Sequence, residues 1–429
     1  MQSLDLSKIK KIFFIGIGGI GISALAKMAI SRGIEVSGVN DEESPKTLEP
    51  LRDLGTTIYF QKDFKELPEA DLYVYSDAWI YRGPEIIESA KKTGKPVLSY
   101  FETLGQFAKE YKVIAIAGTH GKTTTTAMLA EILVDAGIDP TVIVGSFVKK
   151  FDPRHGGIGS NFRKGSSSYL VVEADEYNRH FLNFNPFITV VTNIEADHLD
   201  CYKNLENIQN AFDKLLSQSE NKIIDYTKYL QKVPKLSVPG IHNRMNAAAA
   251  LAVANLLNIK KEIAQKTLTE FSGTWRRLEK RGETKEGTII YDDYAHHPTE
   301  IKASLEALRE LYPVGEKKIT VLFQPHLYSR TRALFNDFAK AFKGADNIYL
   351  LPIFFAREVK DESISSEKLA SAICLAGDKA KAFPDFESAE NFVKTLNLGQ
   401  NDVFITMGAG EAYKVADKVF PDLVSGPRQ

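Results

Sequence analysis

Residues 112–137 read KVIAIAGTHGKTTTTAMLAEILVDAG: an apolar strand-forming run, a turn with two glycines, then a helical run that opens on a lysine and four threonines. Where a strand hands over to a helix in this way, the N–H groups of the first helical turn and the Lys122 charge converge on one point, which suits a phosphate. The glycines let the backbone approach the oxyanion, the lysine reaches the β- and γ-phosphates, and the hydroxyl after it holds Mg²⁺. Gly118, Thr119, His120, Gly121, Lys122, Thr123 and Thr124 are therefore candidates for nucleotide binding, with Thr123 also a metal ligand. Ile116 stands where the commonest ATPase version carries glycine, so the pattern is GTxGKT.

Such a loop needs a parallel sheet behind it, and the rest of the chain supplies the pattern. Apolar runs such as KKIFFIG, YLVVEA, ITVVTNI, TIIYDDY, KITVLFQP and DVFITMG alternate with amphipathic stretches, the signature of α/β folds. At 429 residues several domains are expected. We expect three: residues 1–106, a Rossmann-like domain with a helix from Ile22 to about Ser31; residues 107–275, a P-loop ATPase-type parallel sheet; and residues 276–429, a second Rossmann-like domain. The stretch SQSENKIIDYTKYLQKVPKLSVPG is polar and poorly periodic and reads as a connector with little regular structure, which makes the central domain short.

Charge and cysteine content narrow the function. Lys plus Arg number 54 against 55 Asp plus Glu, a formal net charge of −1, so nothing points to nucleic acid and any cationic site must be local. The two cysteines, Cys201 and Cys374, have no metal-type spacing and fit a reducing compartment. No apolar segment is long enough to span a bilayer and no cleavage signal precedes the first strand, so a soluble cytoplasmic protein, monomer or homodimer, is expected.

Further polar residues gather at strand ends. YLVVEADE brings Glu173, Asp175 and Glu176 to the carboxyl end of one strand, and ITVVTNIEADH brings Glu195, Asp197 and His198 to the next, on the edge that carries the phosphate loop. Alone, either cluster is as compatible with a solvated strand end; beside the loop, Glu173 and His198 are candidates for a second divalent ion. GIGGIG sets Gly16, Gly18, Gly19 and Gly21 between a strand and a helix, a pyrophosphate-facing fingerprint, but the residue ending EVSGVN is Asn40 and not the acid expected for NAD. PGIHNRMNAAAA puts His242, Asn243 and Asn246 at a helix start, where asparagine caps or reads a purine edge. FSGTWRR brings Arg276 and Arg277 to a domain boundary, within reach of polyphosphate or simply solvated. TIIYDDYAHHPTE delivers Asp292, Asp293, Tyr294, His296 and His297 to a strand end, and FQPHLYSRT delivers Gln324, His326, Tyr328 and Arg330 to the next strand in the chain; the mixture with arginine and tyrosine favours substrate recognition over metal.

Taken together, GIGGIG, AGTHGKTTTT, EADE, TNIEADH, PGIHNRMNAAAA, GTWRR, DDYAHHPTE and FQPHLYSRT resemble the Mur ligase family across essentially the whole chain. Among its members the set is most similar to those that add L-alanine to UDP-N-acetylmuramate, the first residue of the peptidoglycan stem. Members that recycle murein tripeptide share the Asp-Asp-aromatic-Ala-His-His segment but usually lack FQPHxYSRT. The resemblance implies ATP and Mg²⁺ (or Mn²⁺) as cofactors, UDP-N-acetylmuramate and L-alanine as partners, and ligation through an acyl phosphate. It implies Lys122, Glu173, His198, His297 and Arg330 at the chemistry; Asn243 and Asn246, with His242, at adenine; Asp292 at ribose; and Arg276 and Arg277 at the phosphates. Gly16 to Gly21 with Ser76 would hold the sugar nucleotide, and Tyr294, His297, His326 and Arg330 the muramoyl group and the alanine carboxylate. The family's Ser-Asp after the second strand is here Val39-Asn40, and its Asn-Pro-Glu is Gly83-Pro84-Glu85. The alternative of a different class is a nucleotide-binding regulatory protein that keeps these folds without catalysis.

Overall fold

The computed structural model describes residues 4–152, 159–355 and 358–424. They form three α/β sheets arranged in two compact units. One unit runs to Leu236 and takes in Arg244–Thr274; the other comprises Ser237–Asn243 and the chain from Trp275 onward.

The first sheet is wholly parallel: β1 (Lys11–Ile15), β2 (Glu35–Asn40), β3 (Thr57–Phe60), β4 (Leu72–Tyr75) and β5 (Val97–Ser99), in the order β3-β2-β1-β4-β5. Residues of β1 alternate between two cores, Ile12 and Phe14 entering one while Phe13 and Ile15 enter the other. That two-sided burial explains why the strand reads as a continuous apolar run. The strand order reverses beside β1, which opens a crevice at its carboxyl end, where the glycine turn lies. The following helix spans Ile20–Ser31, starting two residues earlier than its apolar pattern suggests.

The second sheet holds β6 (Lys112–Ala117), β7 (Thr141–Val148), β8 (Ser160–Arg163), β9 (Tyr169–Glu173), β10 (Ile188–Val191) and β11 (Asn221–Ile223), in the order β11-β10-β6-β9-β7-β8. Only the β7–β8 pair is antiparallel. Here β6 lies between β10 and β9, so the phosphate loop is flanked by both acidic strand ends. The segment expected to be an irregular connector contains β11, paired parallel to β10, and a 3₁₀ turn at Thr227–Lys232. A three-residue polar edge strand has too short a run to show a period. One core cluster joins residues of both sheets, Ile12 and Phe14 with Val113 and Ala115, which is why the two pack as one unit.

The third sheet is β12 (Glu279–Glu283), β13 (Ile289–Asp293), β14 (Lys318–Phe323), β15 (Asn347–Leu350), β16 (Ala380–Ala382) and β17 (Asp402–Met407), in the order β12-β13-β17-β14-β15-β16. It is parallel apart from β12 against β13. The strands that carry DDYAHH and FQPHLYSRT are consecutive in the chain but not in space, because β17 lies between them. Among the described residues no helix is long and apolar enough to cross a membrane.

Candidate active site

The junction after β6 has the geometry its sequence predicts. Gly121 is the N-cap of the helix Lys122–Asp135 with φ +82°, and Gly118 has φ +133°. A Cβ on Gly118 would sit 2.0 Å from Thr192 Oγ1 and one on Gly121 2.3 Å from Asn246 Oδ1, so both glycines are required by conformation and by space. The start of the loop is laced to the end of β10. The Thr119 N–H donates to the Asn193 carbonyl at 3.0 Å, the His120 N–H to Asn193 Oδ1 at 2.9 Å, and the Glu195 N–H to Thr119 Oγ1 at 2.9 Å. His120 Nε2 lies 3.5 Å from Glu195.

Lys122 lies back over this loop. Its Nζ donates to the Gly118 carbonyl at 2.5 Å, the Thr119 carbonyl at 3.1 Å and Glu176 Oε2 at 2.9 Å. Burial works against the ammonium, but Glu176 and its acidic neighbours outweigh it and hold the lysine pKa above its ordinary value. Thr123 Oγ1 donates to Glu173 Oε2 at 3.1 Å, and the Gly145 N–H donates to Glu173 Oε1 at 2.6 Å. A Cβ on Gly145 would lie 2.9 Å from that carboxylate, so the glycine leaves the room Glu173 occupies. A threonine hydroxyl and a carboxylate side by side at the mouth of the loop fit the hard-oxygen chemistry of Mg²⁺. His198, in a left-handed conformation with φ +53°, has Nε2 3.7 Å from Glu176 and 3.8 Å from Asp197. Its carboxylate neighbours are thus Glu176 and Asp197, while Glu173 meets Thr123 and the Gly145 N–H.

The GIGGIG turn is held from three sides. Gly16 has φ +85°, and a Cβ there would fall 2.3 Å from the Trp79 indole. The Gly18 N–H donates to Asn40 Oδ1 at 3.1 Å while Thr47 Oγ1 donates to the Gly18 carbonyl at 2.7 Å. Asn40 Nδ2 donates in turn to the Glu42 carbonyl at 2.8 Å. The residue that departs from the acid of dinucleotide folds is therefore a brace for the turn, both functions of its amide used internally. Ser76 follows β4 at the same sheet edge, its N–H donating to the Ile15 carbonyl at 3.0 Å.

Among the purine candidates, Asn246 packs against Gly121. Asn243 donates from Nδ2 to the Pro239 carbonyl at 2.7 Å, closing the turn ahead of its own helix. Burial pushes the His242 pKa down to about 4, against a counter-effect from Glu300.

In the third sheet the histidines divide by role. His297 is the N-cap of the helix Pro298–Leu311, accepting from the Thr299 N–H at 3.3 Å, and Glu300 Oε2 accepts from the N–H groups of His297 at 3.2 Å and His296 at 3.0 Å. The His326 ring stacks on Phe354 with centroids 5.6 Å apart, meets His296 edge-on at 5.6 Å, and has Nδ1 3.2 Å from the Arg330 guanidinium. Tyr294 abuts His296 at 5.3 Å. His296, Tyr294, His326 and Arg330 thus form one aromatic and cationic cluster although β17 separates their strands.

Arg276 and Asp292 pair with each other. Arg276 is buried, donating from Nε to Asp292 Oδ2 at 2.8 Å and from its terminal nitrogens to the Gly408 carbonyl at 2.6 Å and the Gly410 carbonyl at 3.1 Å. Asp292 accepts a second bond from Thr406 Oγ1 at 2.7 Å. Both are occupied as a strut between β13 and β17, because a buried ion pair must satisfy its remaining donors and lone pairs. Arg277 lies over the Tyr294 ring at 4.9 Å. The turn after β17, TMGAGEAY, whose glycines supply these carbonyls, is not among the motifs singled out in the sequence. Its signal was present, a strand followed by Gly408 and Gly410, with Gln324 Oε1 accepting from the Glu411 N–H at 2.6 Å.

Comparison with known proteins gives the same reading over the whole chain. Residues 11–112 match the Mur ligase family catalytic domain, 116–230 the Mur ligase middle domain and 276–410 the Mur ligase glutamate ligase domain. A UDP-N-acetylmuramate--L-alanine ligase of Clostridium kluyveri is 38% identical over 466 aligned positions, covering 97% of this chain and 99% of the relative. One from Caldanaerobacter subterraneus is 37% identical, covering 97% and 98%. An alignment of 466 positions is longer than this 429-residue chain, so the relative has segments missing here. Among solved structures, the UDP-N-acetylmuramate-alanine ligase of Thermotoga maritima superposes with a TM-score of 0.78 at 29% identity, covering 95% of this chain and 98% of that one. A murein peptide ligase of Psychrobacter arcticus shares the fold at a TM-score of 0.68 and 22% identity. With three α/β domains in that order and full-length relatives well above 30% identity, this chain belongs to the Mur ligase family.

Proposed function

We propose that this protein joins L-alanine to the lactyl carboxylate of UDP-N-acetylmuramate at the expense of ATP, in cytoplasmic peptidoglycan precursor synthesis. The γ-phosphoryl group passes from ATP to the carboxylate, giving an acyl phosphate and ADP. The alanine amine then attacks the acyl carbon, phosphate leaves, and the amine gives up a proton as the amide forms. The observation that carries the reading is the Lys122, Thr123 and Glu173 arrangement at the junction after β6, together with near full-length similarity to ligases of this name.

The obstacle in the first step is electrostatic. Two unit charges ~4 Å apart repel by about 4 kcal/mol at an effective dielectric of 20. Lys122 carries its charge on a flexible stem and rests on Glu176 and two carbonyls; a bound triphosphate offers it a stronger anion, so Nζ moves to the β/γ oxygens. Thr123 and Glu173 would hold Mg²⁺, which screens the transferring phosphoryl group when bound. Gly118 to Thr124 supply N–H donors to the phosphates, and Asn246, packed against Gly121, is the better purine candidate of the two asparagines. Glu176 and His198 form the next layer, positioned to orient Lys122. Around the third sheet, Arg330 with His326 offers a cation for the alanine carboxylate, and His296 and Tyr294 border it; His297 acts through the helix it caps. The domain limits 1–106, 107–275 and 276–429 go with this assignment.

A phosphate-release assay with ATP, Mg²⁺, UDP-N-acetylmuramate and L-alanine tests the reading. Release should need both substrates and disappear in Lys122→Ala. ATP turnover indifferent to the acceptor would remove the ligase reading, and ATP binding without turnover under any acceptor would favour a regulatory protein. Running L-serine, glycine and murein tripeptide beside L-alanine identifies the amine.

A further inference from the structure

Glu176 sits at the start of a turn that Asn178 tolerates but that Arg179 does not favour. Asn178 and Arg179 both adopt positive φ, +49° and +58°, and a long side chain such as arginine gains nothing locally from the left-handed region. The turn is closed by the Arg179 N–H donating to the Glu176 carbonyl and the Phe181 N–H donating to the Asp175 carbonyl, both at 2.9 Å. The Tyr202 hydroxyl also donates to the Glu176 carbonyl. The buried Glu176 side chain accepts from Lys122, so this turn decides where the lysine rests.

What grips the turn from outside comes from the first sheet. The His180 ring stacks on Phe101 with centroids 4.1 Å apart and planes 12° from parallel. Its Nε2 lies 2.7 Å from Asp77 Oδ2, close but out of line for a hydrogen bond. Asp77 follows Ser76 at the end of β4. Phe101 follows Tyr100, whose ring lies 3.0 Å from where Gly21 would carry a Cβ. The residues that hold His180 are thus the chain neighbours of those bordering the GIGGIG turn.

We propose that His180 is a positioning residue of the nucleotide site: held by Phe101 and Asp77, it fixes the turn that presents Glu176 and, through Glu176, the Nζ of Lys122. The first sheet thereby sets the geometry of the phosphate loop in the second. This rests on the ligase reading for its kinetic part, but ATP binding tests it separately.

The experiment compares wild type, His180→Ala, His180→Phe and Asp77→Asn as full chains, measuring Kd for a fluorescent ATP analogue with Mg²⁺, kcat and each KM, and the melting temperature. His180→Ala should weaken analogue binding and lower kcat, each on the order of tenfold or more, since small misplacements of catalytic groups are costly. KM for L-alanine and the melting temperature should stay near wild type. His180→Phe keeps the stack and should recover part of the analogue affinity; Asp77→Asn should fall between. Wild-type analogue affinity and kcat in His180→Ala would overturn the proposal, as would losses matched by an equal fall in folded protein. If the wild type binds the analogue, His180→Ala does not, and no acceptor supports turnover, the ligase reading fails while the positioning role stands.

Discussion

Gly18 gives its N–H to Asn40 and its carbonyl to Thr47, which leaves the first-turn N–H groups of Ile20 and Gly21 as the donors a pyrophosphate would meet. Asn40→Asp keeps an acceptor for Gly18 but loses the donor to the Glu42 carbonyl and adds an anion beside Asp41. We expect KM for the UDP-sugar to rise about tenfold, ~1.4 kcal/mol, with kcat little changed; an unaltered KM would show that the brace does not matter to binding. Asp293 offers a stability test instead. Burial pushes its pKa from 3.8 up to about 6, against lowering contributions from Ser304 and Arg277. The folded state therefore holds the proton more tightly than the unfolded chain. The resulting stabilisation is complete below the unfolded pKa and is lost as pH rises through 6, by up to roughly 3 kcal/mol. Asp293→Asn should flatten that fall: its melting temperature should drop less than that of wild type between pH 4.5 and 7.5. Parallel pH profiles for the two proteins would refute the assignment.

The junction after β6 was legible because three independent requirements meet there: positive φ at Gly118 and Gly121, a helix N-terminus, and a lysine with an adjacent hydroxyl. Gly121→Ala should show how much of this is contact and how much conformation. Its Cβ would press on Asn246 Oδ1 at 2.3 Å, whereas Gly137, with φ +76°, has nothing within 4 Å. Left-handed backbone alone costs about 1–2 kcal/mol for a non-glycine residue, so Gly137→Ala should lose about that much stability and no ATP affinity. Gly121→Ala should lose more stability and at least tenfold in ATP affinity, read by calorimetric titration; equal behaviour of the two would mean that Asn246 yields freely. The acidic ends of β9 and β10 were also legible, since a parallel sheet puts all carboxyl ends on one edge. Partnership was not. That Glu176 rather than Glu173 meets Lys122 and His198 depends on the left-handed turn at Asn178 and Arg179, which no residue type there demands. Likewise Arg276 and Asp292 are separated by a strand in the chain; their pairing follows from the β12–β13 hairpin, which sets Glu279 opposite Asp292, and the Gly408 and Gly410 carbonyls reach Arg276 because β17 lies beside β13. β11 escaped notice because it is short and polar, and the His297 cap because histidine is an uncommon N-cap.

Two nucleotide-type loops lie on different sheets but in one compact unit, and the seam between those sheets is polar as well as apolar. Lys27, on the helix after GIGGIG, is buried with Nζ donating to Asn161 Oδ1 at 2.9 Å and Ser160 Oγ at 3.3 Å, and burial lowers its pKa to about 8. Asn161 Nδ2 donates back to the Ile20 carbonyl at 2.6 Å and Ser23 Oγ at 2.9 Å, and Lys164 donates to the Ser31 carbonyl at 2.7 Å. Each such hydrogen bond contributes a net ~0.5–1.5 kcal/mol, so opening the seam gives up several of them together with the shared apolar core, and the sheets should unfold together. Ligand binding to a folded unit stabilises all of it, by ≈ 2.7 kcal/mol at one hundred times Kd. UDP-N-acetylmuramate at that concentration should therefore slow hydrogen exchange about a hundredfold not only in β1 and β4 but also in the most protected amides of β6 and β9, which exchange by unfolding of the whole unit. Asn161→Ala should uncouple the sheets, confining the protection to the first. Protection limited to β1 and β4 in the wild type would mean that the two sheets unfold independently and that the shared core does not bind them into one cooperative body.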